Sequence, residues 1–273
     1  MKRHVIIYTI VLMGCIICLL AISKRLYEYF SWAKEGAAVH TSNTRPTDDT
    51  LRVLMIGDSW AAYHLKSGND TVLTSMLQNK LNQPICVNSS GMVGAKTKAI
   101  YELMSDTIRP IGTRNLIDRK PDYCIISAGI NDAVAKMGTK NYCYHYGLII
   151  RHLLSAGIKP IVLDMPDVDY KFVFQKESII SKIRHYISSC FTKAPMWTFK
   201  DYRKELYLMI CQNGLKDHII YIPSKDWNPT GFEDPRDLYL EDHIHLNNKG
   251  YYLMDSCIVS FICRDYISTR DSL

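Results

Sequence analysis

Ser59 sits on a tight turn, Gly57-Asp58-Ser59, directly after an apolar run at 51–56. Far along the chain, Asp242 and His245 lie three residues apart, just before the last helical stretch. At that spacing a turn lets the carboxylate hold the imidazole Nδ1–H. The other ring nitrogen is then free to take a proton from a hydroxyl. A serine activated in this way attacks an ester carbonyl, and the resulting oxyanion needs fixed donors. Asn131 can supply a side-chain N–H, and Gly94 and Ser59 can supply backbone N–H groups. Glycine at 94 lets the backbone approach a substrate with no Cβ in the way.

Each of these residues also has a plainer reading. Ser59 stands where a helix can begin and could cap it. Asp58 suits support of the turn, and Asn131-Asp132 could be only a turn pair. His243 competes with His245, because residues two apart share a face of an extended segment. Gly91 is close enough to Gly94 to compete for the donor role. His64 reads as a surface histidine. Asp164, Asp167 and Asp169 surround Pro166, and such a loop is more often solvated than metal-bound. Trp227, Phe232 and Tyr239 could line a pocket or pack under a long loop.

The elements that must position these residues follow from the hydrophobic pattern. Apolar runs at 51–56, 84–87, 123–128, 158–163 and 218–222 read as strands. Helical spacing is found at 70–81, 95–104, 141–156, 177–190, 202–212 and 248–263, with Gly157 and Gly214 as helix stops. Alternating strands and helices predict parallel strands with crossover helices. The runs are apolar throughout, as strands covered on both faces require. The expectation is an α/β fold: one three-layer α/β/α domain on a five-stranded parallel sheet. In such a sheet ligands bind beyond the carboxyl ends of the strands. Residues 57–59, 88–94, 129–132, 164–169 and 239–245 all fall there.

With these residues placed, the segment from Val53 to about Leu253 resembles the SGNH (GDSL-type) hydrolase superfamily. Gly57-Asp58-Ser59-Trp60 is similar to the block that carries the nucleophile. Ser90-Gly91-Met92-Val93-Gly94-Ala95-Lys96-Thr97 is similar to the second block, whose later glycine donates to the oxyanion. Gly129-Ile130-Asn131-Asp132 and Asp242-His243-Ile244-His245 match the third block and the final D-x-x-H block. The resemblance implies a flavodoxin-like sheet and a serine esterase that works through an acyl-enzyme. It implies Ser59, His245 and Asp242 as the triad and Ser59, Gly94 and Asn131 as the oxyanion hole, with no metal and no cofactor. Its register favours His245 over His243 and Gly94 over Gly91. Trp60 stands where Leu is more usual, which leaves open whether its ring walls the pocket or packs. An O-acyltransferase on the same triad and a catalytically silent glycan-binding module are the alternatives.

Residues 5–22 are apolar apart from Thr9, Gly14, Cys15 and Cys18, preceded by Lys2-Arg3-His4 and followed by Ser23-Lys24-Arg25. As a helix they rise about 27 Å, close to the thickness of a bilayer's hydrocarbon core. The expected organisation is a transmembrane anchor at 1–25, a linker at 26–50 and a catalytic domain at 51–273. Basic residues on both flanks leave the orientation unset by charge. An extracytoplasmic domain is expected, with an ester substrate such as an acylated surface glycan. The net charge of +6 is scattered, so no nucleic-acid partner is expected. Among the nine cysteines no close CxxC pair occurs outside the apolar run, which argues against zinc. Cys86 and Cys124 read as core residues.

Overall fold

The computed structural model describes residues 2–30, 38–40, 49–106, 112–192 and 198–271. In chain order the elements are α1 (Lys2–Phe30), β1 (Ala38–His40), β2 (Leu51–Gly57), α2 (Ser59–Lys66), α3 (Asn69–Leu81), β3 (Ile85–Met92) and α4 (Thr97–Ser105). Then follow α5 (Arg114–Ile117), β4 (Tyr123–Ser127), α6 (Ile130–Val134), α7 (Thr139–Ser155), β5 (Lys159–Leu163), α8 (Tyr170–Lys176) and α9 (Ile179–Thr192). The chain closes with α10 (Phe199–Gln212), β6 (Ile220–Ile222) and α11 (Asn248–Arg270).

The sheet order is β1-β3-β2-β4-β5-β6. The strands from β2 to β6 are parallel, as the apolar runs predict. All five residues of β4 are buried, and so are all but the first of β5. Helices α2, α3 and α11 group with one another and with β3, while α4, α7 and α10 form a second group. Both sheet faces are therefore covered.

Three differences from the sequence reading have physical causes. Residues 38–40, inside the stretch read as linker, form an antiparallel edge strand on β3. Strand β3 continues through Asn88-Ser89-Ser90-Gly91, because β2 pairs with it along its whole length and buried Ser89 donates to Asp70 (2.6 Å). Helix α10 begins at Phe199 and not at 202, because Thr198 and Asp201 form a capping box. The predicted stops at Gly157 and Gly214 are observed. The N–H of Ile158 reaches back to Leu153 and that of Leu215 to Ile210, closing both helices in the same way.

The chain leaves β2 toward β3 on one side and returns to β4 on the other. The crevice beyond the ends of β2 and β4 is thus the point where the strand order reverses, the preferred ligand position in open α/β sheets.

The core decides how α2 sits above this crevice. Gly91 pairs with Gly57 across the sheet, and a Cβ on it would lie 2.1 Å from the Ala62 nitrogen and 2.7 Å from the Asp58 carbonyl oxygen. Both are backbone atoms and cannot swing aside. Gly91→Ala should therefore lift α2 and cost about 1–3 kcal/mol. Thermal unfolding with turnover measured in parallel is the check, since displacement of α2 also displaces Ser59. An unchanged melting temperature would show that α2 does not rest on Gly91.

Candidate active site

The Asp58 side chain caps α2 by accepting from the Trp60 N–H (3.0 Å), so Ser59 is the first residue of the helix and not its cap. This frees the serine hydroxyl. The Asp58 N–H in turn donates to the Ser127 carbonyl, which fixes the turn on β4. Trp60 is buried. Its indole N–H donates to the Ile244 carbonyl (3.2 Å), and its ring meets Trp227 edge-on at 6.0 Å. The ring therefore packs, and its N–H ties the loop at 242–245 to α2.

That loop brings His245 onto the serine. His245 Nε2 lies 2.8 Å from Ser59 Oγ, and Nδ1 lies 2.6 Å from Asp242 Oδ2. The other carboxylate oxygen accepts the backbone N–H groups of Ile244 and His245, both at 2.9 Å. A carboxylate can only accept, so the proton is on Nδ1 and Nε2 accepts the Ser59 hydroxyl. Burial would raise the Asp242 carboxyl, but the hydrogen bonds from the His245 ring and the two backbone N–H groups hold it down at about 2. His243 is directed elsewhere. Its backbone is left-handed (φ 57°), and its Nδ1 donates to Asp169 (3.1 Å).

Gly94 occupies the third position of the turn Met92-Val93-Gly94-Ala95, closed by the Ala95 N–H on the Met92 carbonyl (3.0 Å). Its φ of 76° suits glycine at that position. The turn is held from below by Asp132, which is buried and accepts the Thr97 N–H (2.9 Å) and hydroxyl (2.8 Å). Asn131 Nδ2 donates to the Ala95 carbonyl (3.1 Å) and to Asp58 Oδ2 (3.2 Å). Ser59, Gly94 and Asn131 are thus linked through shared partners, while Gly91 belongs to the packing under α2. Burial pushes the Asp58 carboxyl up to about 7, against the Trp60 N–H and the His245 ring, and pushes Asp132 up to about 6.

Several residues have places that the sequence did not disclose. The Tyr63 ring stands edge-on to His245 at 4.5 Å. It is four residues after Ser59, one helical turn away on the same face, and that spacing was the available signal. His64, read as a surface residue, is fully buried between Asp70 and Asp255. The acids near Pro166 do not form one solvated group. Asp164 is buried, Asp167 pairs with Arg203 (2.8 Å), and Asp169 caps α8 and binds His243. Trp227 and Tyr239 pack in the core, whereas Phe232 lines a cavity of about 640 Å³ with Ala133, Lys136, Asp167, Asp169 and Phe199. Among the described residues no cluster of His, Cys, Asp and Glu could hold a metal ion.

A model of the GDSL-like lipase/acylhydrolase family matches residues 55–253, about three quarters of the chain. The chain belongs to that family. The GDSL-like match begins within β2 and ends within α11, so it contains the whole crevice. The lipase/acylhydrolase from Enterococcus faecalis superimposes with a TM-score of 0.55 at 18% identity, over 78% of this chain and 96% of that one. The psychrotrophic esterase EstA from Pseudoalteromonas sp. gives 0.54 at 13% identity, over 80% and 99%. The acetyl xylan esterase AlAXEase gives 0.51 at 16% identity, over 77% and 98%. No curated protein sequence matches the chain. The protein is thus an ester hydrolase of the SGNH/GDSL type, and its fold is that of these structures.

Proposed function

We propose that the protein is a serine esterase that cleaves O-acyl esters through an acyl-enzyme on Ser59. The observation that carries this reading is the continuous chain of hydrogen bonds from Ser59 Oγ through the His245 ring to Asp242. Ser59 Oγ attacks the ester carbonyl carbon as its proton passes to His245 Nε2. Asp242 keeps the ring in the required tautomer and stabilises the imidazolium. The ring then gives that proton to the leaving alkoxide, the C–O bond breaks, and the acyl group stays on Ser59. Water, activated by the same nitrogen, releases the acid. The cavity beside Ala133 offers room for part of the substrate.

A fluorophosphonate probe tests the reading. Its phosphorus should bond to Ser59 Oγ in the folded protein and fail to bond in His245→Gln. Folded protein that takes up no probe would return the site to a non-catalytic binding role. Product analysis with and without a hydroxyl-rich acceptor then separates hydrolysis from acyl transfer, because the two share the first half-reaction.

The N–H groups of Ser59, Gly94 and Asn131 are assigned to the oxyanion. Asn131 is anchored by Ala95, and its longer bond, to Asp58, is the one an oxyanion competes for. Asn131→Ala should lower kcat by about 10²- to 10³-fold with little change in KM. A rise in KM at constant kcat would assign Asn131 to ground-state binding instead.

Helix α1 contains an apolar stretch, Val5–Ser23, of which no residue is buried and which is long enough to cross a membrane. We assign it as an anchor, with the domain on the extracytoplasmic side. Acylated surface glycans are then within reach. The fold shared with an acetyl xylan esterase supports a carbohydrate ester among the substrates to be screened.

A further inference from the structure

Among the described side chains of helix α9 the polarity is turned inside out. Ile179, Ile180, Ile183, Tyr186 and Ile187 are exposed, the first two by 75% and 78%, while Ser181 is buried. At 100° per residue the exposed residues span an arc of about 120°, and Ser181 lies opposite its centre. A helix that packs on a domain buries its apolar stripe. This one presents the stripe outward, as an interfacial helix does at a lipid surface.

Charge and chain length select the partner. The segment from 170 to 192 carries Lys171, Lys176, Lys182 and Arg184 against one acid, Glu177, a balance that suits anionic headgroups. The domain is also held close to wherever α1 is held. Helix α1 ends at Phe30 and β1, already on the sheet, begins at Ala38. The chain between them reaches at most about 28 Å, whatever its conformation. The start of this segment, together with Asp169 just before it, touches the catalytic loop. The Asp169 N–H donates to the His243 carbonyl (3.2 Å), its carboxylate accepts from the His243 ring, and Phe172 stacks on that ring at 4.3 Å.

We infer that α9 docks by its isoleucine stripe on the bilayer that holds α1, so that the active-site crevice faces the membrane surface and ester groups in or on it. The inference rests on the reading of α1 as a membrane anchor.

The test uses the full-length protein in nanodiscs of phosphatidylcholine with a quarter phosphatidylglycerol. Benzoylphenylalanine is placed singly at Leu12 in α1, at Ile183 in α9 and, as an exposed control, at Tyr252 in α11. After illumination, lipid adducts should form at 12 and 183 and not at 252. Ile180→Ser with Ile187→Ser should cut the adduct at 183 at least fivefold and leave turnover of a water-soluble aryl ester unchanged. Lipid at 12 alone overturns the docking and leaves the anchor standing. Adducts at 183 to protein, whether a second copy or another chain, overturn it in favour of a protein interface. Lipid at neither position removes the anchor and the docking together.

Discussion

Ser59→Ala should lower kcat on a short-chain aryl ester by about 10³- to 10⁶-fold, the range seen when a serine nucleophile is removed from such a triad. The loss is large because, among the described residues, no other group is placed to accept the acyl group. Oγ is the atom within 2.8 Å of His245 Nε2, and the ring is already committed to Asp242 on its other side. The substitution leaves the framework untouched. The cap of α2 is the Asp58 carboxylate, and alanine is a good helix former at the position after it. The melting temperature should therefore stay within a degree or two while turnover falls. His245→Gln should cost nearly as much, and the double variant no more than the single ones, since the groups act as a unit. Turnover above a tenth of the parent rate in folded Ser59→Ala would sink the assignment of the nucleophile.

His64→Ala should destabilise the domain by about 3–5 kcal/mol, the cost of leaving a buried charge without its partner. His64 Nδ1 lies 2.7 Å from Asp70 Oδ1, and Nε2 lies 2.9 and 3.1 Å from the two oxygens of Asp255. The ring bridges α2, α3 and α11, and Ser89 of β3 donates to the same Asp70 oxygen. Burial alone would lower the imidazole, but the Asp255 and Asp70 carboxylates outweigh it and raise His64 to about 9. It is thus an imidazolium between two carboxylates at neutral pH. Its folded value lies above the unfolded value of about 6.5, so the folded state binds the proton more tightly. The stabilisation is complete below about pH 6.5 and is lost as pH rises through 9. Chemical denaturation in detergent at pH 7 and pH 10 should show this loss in the parent and a much smaller one in His64→Ala. Adding Asp255→Asn to His64→Ala should recover part of the stability by removing one stranded carboxylate. Equal pH dependence in parent and variant would overturn the ionic reading.

The sheet and the active-site core were legible because both are local or periodic. Leu54, Met55, Ile125 and Ile126 are covered on either face, so β2 and β4 show as unbroken apolar runs. Asp242 and His245 meet within a single turn, and Asp242 accepts the backbone N–H of the residues between and at its partner. The start of α10 was missed although its signal was local, since Thr198 and Asp201 spell a capping box three residues apart. Helix α9 was found as a helix, but its periodicity says nothing of which side it shows to the domain.

The sequence by itself determined the strand–helix alternation, the carboxyl-end placement of Ser59, Gly94, Asn131, Asp242 and His245, and an N-terminal helix long and apolar enough for a bilayer. It did so because hydrophobic period, turn residues and short spacings are written within a few positions of one another. The family blocks favoured His245 over His243 and Gly94 over Gly91, but tertiary structure alone showed what holds His243 on Asp169 and packs Gly91 under α2. It also turned a supposed surface histidine into a buried ion. Those choices hang on Asp169, Ala62 and Asp255, whose contacts with His243, Gly91 and His64 cross 74, 29 and 191 positions of chain. Which of two nearby imidazoles meets the serine is a question of backbone direction at one residue. The left-handed turn at His243 answers it only once the loop is seated under Trp60.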